Sequence, residues 1–203
     1  MNKNEIKVTL IGNAGVGKTC IIQRFIDNSF SDNPVSTISA NSIEKEIIRG
    51  KEKYVLNIWD TAGQEKYQSL GKHFYKDAYI ILLIYDITNQ NSLDSLKKTW
   101  YPDVQIYAEN CVVLGVIGNK ADLYENEELA DEDEAKEFAK EIGAIFYQVS
   151  AKNGENIFKL FETLLDKFLE KDVQVKVKNI EMDKEAKSAF NLNSKGEKKK
   201  KCC

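Results

Sequence analysis

The stretch from Gly12 to Thr19, which reads Gly-Asn-Ala-Gly-Val-Gly-Lys-Thr, constrains this chain more than any other feature. An apolar run at residues 6–11 predicts a buried strand before it, and the apolar spacing of residues 21–26 predicts a helix after it. A glycine-rich turn between a strand and a helix offers backbone N–H groups and a positive dipole end to an anion. Lys18 adds a charge for the outer phosphates, and the Thr19 hydroxyl can reach magnesium. This phosphate-binding loop therefore predicts a triphosphate site, with a plain glycine-rich turn as the structural alternative.

The composition is that of an ordinary globular protein. With 203 residues, 42% of them hydrophobic and 30% charged, we expect one domain and a tail. No apolar run approaches about 18 residues and no apolar signal segment follows Met1, so we expect a cytosolic protein without a membrane span. Cys20 and Cys111 are isolated in apolar surroundings, as core residues usually are, and Cys202 and Cys203 end the sequence. Neither a zinc spacing nor a disulfide framework is predicted.

The charge is distributed unevenly along the chain. The net charge is −3, but residues 171–203 carry +5 and residues 1–170 carry −8. A basic end on an acidic body predicts an anionic surface as the partner of the tail alone. Nucleic acid is not expected as a partner.

Apolar runs alternate with helix-patterned segments after the first helix. Residues 29–41 are polar, contain Pro34 and predict an irregular loop, and two strands then meet in a hairpin at Arg49-Gly50-Lys51. Strands are predicted at residues 6–11, 43–48, 54–59, 79–85, 112–117 and 144–149, and helices at 18–28, 92–107, from about 131, and at 155–169. This order predicts an α/β fold with a six-stranded, mostly parallel sheet, one antiparallel strand and five helices, four of which have the ranges just given. Ligands bind such sheets at the carboxyl ends of the strands.

A second cluster, Asp60-Thr61-Ala62-Gly63-Gln64, follows the strand that ends at Trp59. Asp60 can hold magnesium through water, the N–H of Gly63 can approach a terminal phosphate, and the amide of Gln64 can orient an attacking water. By itself this cluster is also a plausible turn. Together with the phosphate-binding loop it indicates triphosphate hydrolysis.

Two more clusters follow the last two strands and point to the base. The carboxylate of Asp122 can accept both N–H groups on one edge of guanine, where adenine offers an acceptor. Asn119 and Lys120 can brace the loop and cover the ring, although a strand-ending Asx turn is the structural alternative. A backbone N–H of Ser150-Ala151-Lys152 can reach the guanine carbonyl oxygen. The predicted base is therefore guanine.

These four clusters, in this order and spacing, resemble the nucleotide motifs of the Ras superfamily of small GTPases. The run from Trp59 to Tyr67, the Tyr-Asp-Ile-Thr run at residues 85–88 and the terminal Cys202-Cys203 narrow the resemblance to the Rab branch. The resemblance covers about residues 5–170. It implies a P-loop NTPase small G domain at residues 1–170, a flexible hypervariable tail at 171–203, and a GTP-loaded switch in membrane trafficking.

The family resemblance also assigns roles to individual residues. The nucleotide would contact Asn13, Ala14, Gly15, Val16, Gly17, Lys18, Thr19, Cys20, Gly63, Asn119, Lys120, Asp122, Ser150, Ala151 and Lys152. Lys18, Thr37 and Gln64 would serve hydrolysis, and Thr19, Thr37 and Asp60 would hold Mg²⁺. Thr37 would engage only when a γ-phosphate is present, so that two loops order on loading and disorder on hydrolysis.

The same resemblance implies a set of partners and a location. Guanine nucleotide, an exchange factor, a GTPase-activating protein, effectors, a Rab escort protein and a GDP-dissociation inhibitor are expected. Prenyl groups on Cys202 and Cys203 would attach the protein to the cytoplasmic face of intracellular membranes, in exchange with the cytosol.

The sequence departs from the family pattern at two positions. Ala14 stands where glycine or serine is usual in the family, and its Cβ, which faces the γ-phosphate region, is expected to crowd Gln64 or an incoming arginine. The chain has only two arginines, Arg24 and Arg49, and both lie outside the loops that switch, so slow hydrolysis without a partner's arginine is predicted.

The second departure concerns effector contact, because Ser42 replaces a phenylalanine that in the family joins the residues matching Trp59 and Phe74. The loss of about 2–3 kcal/mol of buriable aromatic surface predicts an atypical effector set.

The tail loses apolar periodicity beyond about residue 171 and predicts a flexible linker. Residues 173–177 alternate like a strand that could dock on the body, although a lone short segment is more often disordered. Four lysines precede Cys202 and Cys203, and two lipids, or one with a basic patch, give stable attachment. The alternative is solvated lysines with incidental cysteines.

Two other features invite a catalytic interpretation that the pattern does not favour. The acidic residues 125–141 fall at the start and outer face of a helix, where acids complement its dipole, and the position of Asp131 three residues before Glu134 resembles a capping box. His73 has no carboxylate or cysteine at a motif spacing, so we interpret it as a surface residue. Two alternatives to a Rab GTPase stay open: a module that binds GTP with defective hydrolysis, and a P-loop ATPase, which conflicts with Asp122.

Overall fold

A six-stranded mixed sheet forms the centre of the molecule, in the order β2-β3-β1-β4-β5-β6. The computed structural model describes residues 4–31, 41–61, 74–125 and 129–171. The strands are β1 (Glu5–Ile11), β2 (Asn41–Arg49), β3 (Glu52–Asp60), β4 (Ile80–Asp86), β5 (Val113–Asn119) and β6 (Ile145–Gln148). Strand β1 pairs in parallel with β3 and β4, and β5 pairs in parallel with β4 and β6.

The hairpin predicted from the glycine at its tip is confirmed. Among the described strands, β2 pairs only with β3 and runs antiparallel to it, and Arg49 lies opposite Glu52 across a two-residue loop. Gly50 in that loop has φ 62°, a left-handed conformation that glycine adopts without steric cost. The register also places Ser42 opposite Trp59.

Four helices in the described residues surround the sheet. They are α1 (Lys18–Asp27), α2, α3 (Glu132–Glu141) and α4 (residues 157–171), with a 3₁₀ turn at Ala121–Leu123. Helix α2 runs without a break through Gln90–Ser95, Leu96–Trp100 and Tyr101–Tyr107. Residues 74 and 75 are also helical. Most predicted bounds lie within two residues of these.

The middle segment of α2, Leu96–Trp100, is π-helical, which the periodicity did not predict. The N–H of Tyr101 bonds to the carbonyl of Leu96, five residues earlier. Pro102 follows at once, and a proline ring inside a helix clashes with the carbonyl four residues before it. A widened turn relieves that clash, so the helix continues past the proline.

The sheet is covered on both faces, as predicted. One hydrophobic cluster joins α1 and α4 to the sheet through Ile21, Phe25 and Phe161. The other joins α2 and α3 through Leu96, Trp100 and Phe138. All seven residues of β4 are buried between them. Among the described helices, none is both long enough and apolar enough to cross a lipid bilayer.

Helix α3 begins at an acidic N-cap. The Asp131 carboxylate accepts the N–H of Glu134 at 3.0 Å, which is half of the capping box that the spacing resembles. The return bond is replaced: the N–H of Asp131 donates to Gln90 Oε1, and the Glu134 carboxylate binds Gln90 and Lys97. The acidic turn therefore caps α3 and ties it to α2, as a dipole-complementing role predicts.

Candidate nucleotide-binding site

The phosphate-binding loop lies between the carboxyl end of β1 and the start of α1. Gly12 has φ 142°, and a Cβ there would collide with the carbonyl oxygen of Ile84. Gly17 is the N-cap of α1 with φ 91°, and a Cβ there would collide with the side chain of Asn119. Glycine is therefore required at both ends of the loop. The loop thus places backbone N–H groups beside a helix N-terminus, an arrangement that suits phosphate.

Lys18 is buried against the loop that it serves. Its Nζ donates to the carbonyl oxygens of Gly12 at 2.7 Å and Asn13 at 2.9 Å. Burial lowers the pKa of Lys18 to about 8, and the negative charge of Asp60 opposes that shift. A buried cation is stabilised by an anion, so the loop has the electrostatics of an anion site.

Thr19 and Asp60 meet across the sheet edge. The Thr19 hydroxyl donates to Asp60 Oδ2 at 2.6 Å, and the neighbouring Thr61 hydroxyl donates to the carbonyl of Leu10 at 2.7 Å. A hydroxyl and a carboxylate oxygen are hard donors of the kind Mg²⁺ prefers, with water and phosphate completing its shell. These residues therefore fit a magnesium ion. The other predicted contacts at this end, Thr37, Gly63 and Gln64, lie outside the described residues.

Asn119 joins three loops at the carboxyl end of β5. Its Nδ2 donates to the carbonyl of Val16 in the phosphate-binding loop at 2.8 Å, and its Oδ1 accepts the N–H of Ala151 at 3.2 Å. The side chain is buried, so these bonds are shielded from water. Asn119 thus fixes the distance between the phosphate end and the base end of the site.

The base end contains Asp122 and the turn after β6. The Ser150 hydroxyl donates to Asp122 Oδ1 at 2.5 Å and also accepts the N–H of Asn153. Arg24 of α1 supports the same turn, since its Nε donates to the carbonyl of Ala151 and its guanidinium also binds that of Lys152. The Asp122 carboxylate is therefore held in one orientation.

Lys120 has a partner that the motif spacing did not reveal. Its Nζ lies 2.5 Å from Asp86 Oδ2 at the end of β4, and Asp86 Oδ1 accepts the N–H and hydroxyl of Thr88. Lys120 has φ 71°, a conformation that few non-glycine residues adopt. The ion pair holds the Lys120 stem beside the expected base site.

The structure brings the described predicted residues to one edge of the sheet. Ala14 and Gly15 are exposed, whereas Val16 and Cys20 are buried in the core. Sequence reasoning assigned no role to Arg24 or Asp86. Asp86 could have been suspected from its place directly after a buried strand, but nothing in the spacing marks Arg24. Fold and site together define a phosphate-loop nucleotide-binding protein.

Comparison with known proteins gives the class. The sequence model of the Ras family matches residues 7–170. Human Ras-related protein Rab-31 is 41% identical over 158 residues, which are 78% of this chain and 80% of that protein. Human Rab-30 is 37% identical over 155 residues, 76% of this chain and 75% of that protein.

A third relative matches almost the whole chain. SEC4 of Saccharomyces cerevisiae is 34% identical over 198 residues, 98% of this chain and 91% of that protein. The chain therefore belongs to the Rab small GTPases of the Ras family.

Proposed function

We propose that this protein is a Rab-type switch in vesicle and membrane trafficking, which binds GTP with Mg²⁺ and hydrolyses it to GDP. The observation that carries the proposal is the arrangement around Asn119, which bonds to the phosphate-binding loop and to the turn that orients Asp122. One residue thereby links a phosphate site to a carboxylate with the hydrogen-bonding pattern for guanine. The matched relatives support the same function.

Each side chain then has a task in binding. Lys18 neutralises the outer phosphates, Asp122 selects guanine, and Thr19 and Asp60 hold the metal. Mg²⁺ supplies charge neutralisation for the phosphates when bound. Thr37, Gly63 and Gln64 would respond to the γ-phosphate and position water, by resemblance alone.

The test of base selection is the replacement Asp122→Asn. A carboxylate accepts the two N–H groups of guanine, whereas an amide presents a donor that suits the C2 carbonyl of xanthine. We expect the variant to lose at least about tenfold in affinity for GDP and to gain affinity for xanthosine diphosphate. Equilibrium competition against a fluorescent nucleotide measures both affinities.

The matched control is Asp133→Asn on the outer face of α3, where the side chain is 93% exposed. It makes the same change of charge away from the site and should keep the wild-type preference. An Asp122→Asn protein that still preferred GDP would refute the assignment of the base contact. Displacement of guanine nucleotide by an equal concentration of ATP in the wild-type protein would favour the ATPase alternative.

Slow intrinsic hydrolysis is the second part of the proposal. Both arginines of the chain bind groups outside the region expected for the γ-phosphate. Arg24 binds the turn at Ala151, and Arg49 binds Glu162 and Asp166. An arginine that stabilises the transition state would then come from a GTPase-activating protein. The exposed position of Ala14 leaves the alternative of a GTP-binding module with defective hydrolysis.

Replacing Ala14 with glycine separates these two possibilities. Removing the methyl group should raise the single-turnover hydrolysis rate by about tenfold, the effect of roughly 1.4 kcal/mol of relieved crowding. Rates are measured on GTP-loaded protein with and without a GTPase-activating protein. An unchanged rate in the glycine variant would remove Ala14 as the cause, and normal acceleration of the wild type would exclude the defective module.

The proposed effector surface is built around Trp59. The ring centroids of Trp59 and Phe74 lie 6.2 Å apart, and Lys7 Nζ lies 4.7 Å from the Trp59 ring. Ser42, opposite Trp59, is exposed and contributes no aromatic ring. This surface offers a partner two aromatic rings and one cation. We therefore infer that its effectors differ from those of relatives whose surface has three aromatic rings.

The last part of the proposal concerns the tail, of which residues 172–203, with the segment 173–177, lie outside the described residues, as does His73. We assign residues 1–170 to the G domain and 171–203 to a basic, flexible tail prenylated at Cys202 and Cys203. Escort protein, GDP-dissociation inhibitor and exchange factor are expected partners of such a cycle between cytosol and cytoplasmic membrane surfaces. Two prenyl masses on a C-terminal peptide of the native protein would support it, and an unmodified peptide would contradict it.

A further inference from the structure

Asn13 in the phosphate-binding loop is held at both ends of its amide by helix α2. Its Oδ1 accepts the indole N–H of Trp100 at 2.7 Å, and its Nδ2 donates to the Ser95 hydroxyl at 3.0 Å. Because an indole N–H can only donate, the orientation of the amide is determined. The Ser95 hydroxyl in turn donates a hydrogen bond to the carbonyl of Asn91 at 2.7 Å.

The π-helical turn allows Ser95 and Trp100 to bond to the same amide. Ser95 and Trp100 are five positions apart, and at 3.6 residues per turn they would lie about 140° apart around a regular α-helix. The segment Leu96–Trp100 closes with a bond across five residues, so positions five apart come closer to one face. Single π turns of this kind occur frequently at functional sites.

The backbone of Asn13 connects these side-chain bonds to Lys18. The backbone carbonyl of Asn13 accepts a hydrogen bond from Lys18 Nζ, and so does that of Gly12. Trp100 is only 7% exposed, so its bond to Asn13 is shielded from water and costly to leave unmade. A fixed Asn13 side chain therefore fixes the peptide from which Lys18 must reach the phosphates.

We propose that Ser95 and Trp100 are positioning residues that hold Asn13 and thereby slow the release of bound guanine nucleotide, an inference that rests on the proposed nucleotide site. Helix α2 is thus mechanically coupled to the phosphate-binding loop. A partner that displaced α2 at the π turn would loosen the loop and release the nucleotide.

The test is a double-mutant cycle on nucleotide release. Trp100→Phe keeps a buried ring and removes the N–H, and Asn13→Ala removes the amide. Each should raise the dissociation rate of a fluorescent GDP analogue, chased with excess GDP, by about tenfold. The double variant should dissociate no faster than Asn13→Ala alone, because the bond that Trp100→Phe removes is already absent from the Asn13→Ala protein.

The control is Tyr101→Phe, the next residue of α2, whose hydroxyl meets Gln105 and not the loop. It removes one polar group from the same helix and should release the analogue at the wild-type rate. Unfolding midpoints over a range of GDP concentrations distinguish positioning from mere stability. A positioning role reduces the stabilisation gained from GDP, whereas a structural role lowers the midpoint equally at every concentration.

Each outcome decides between the proposals. Wild-type release rates in both single variants, strictly additive effects, or a parallel loss of stability would overturn the positioning role. If Trp100→Phe does not fold, Ser95→Ala replaces it in the cycle with the same expected result. A wild-type protein that binds no GDP analogue would overturn the proposed function itself, and this inference with it.

Discussion

At the scale of single residues, the site is assembled by buried polar contacts between distant parts of the chain. Asp86 is 7% exposed and shares its two carboxylate oxygens between Lys120 and Thr88. Replacing one partner of such an arrangement leaves the other group buried without full compensation. The Lys120 stem is therefore held in place by a residue that need not touch the nucleotide.

Asp86→Asn should loosen Lys120 and speed GDP release by about tenfold, since a neutral amide holds an ammonium less strongly than a carboxylate does. The rate is followed with the same fluorescent analogue, and Asp133→Asn again serves as the control for the change of charge. Release at the wild-type rate would mean that Asp86 has no positioning role.

At the scale of elements, the bounds of the strands could be predicted from the sequence, whereas the irregular turn and the capping contacts of the helices could not. Continuous apolar runs such as residues 79–85 can only be buried between two layers, so β4 was placed within a residue. The π turn of α2 escaped prediction because one extra residue within 18 hardly alters the apolar pattern. Pro102 inside a helical stretch was the available signal. The sequence pattern also suggested a return bond from the Glu134 side chain to the N–H of Asp131. That N–H instead donates to Gln90 of α2, which no local pattern predicts.

The cap of α3 gives a prediction at this scale. Asp131→Ala removes the acceptor for the N–H of Glu134 and should lower the free energy of unfolding by about 1 kcal/mol. In a domain of this size the unfolding midpoint should fall by about 2–4 °C, measured at saturating GDP. Asp133→Ala in the same turn should change it less, because that side chain caps no N–H. Equal losses in both variants would assign the effect to the helix dipole instead.

At the scale of the whole molecule, parallel strands collect the site at one edge. Sequence order alone placed the phosphate-binding loop, Asp60, Asn119, Asp122 and Ser150 there, because each ends or follows a strand. It could not supply the contacts between them, such as the bond from Trp100 to Asn13 across 87 positions. Such pairs depend on the packing of whole layers, which no local pattern encodes.

We expect this edge of the sheet to bind guanine nucleotide with magnesium. Native mass spectrometry of the full chain, purified in magnesium-containing buffer, tests it most directly. We expect a single added mass equal to GDP or GTP with Mg²⁺, which is lost after exchange into a chelator. A bound adenine nucleotide, or a chain that stays empty when offered excess GDP and Mg²⁺, would contradict it.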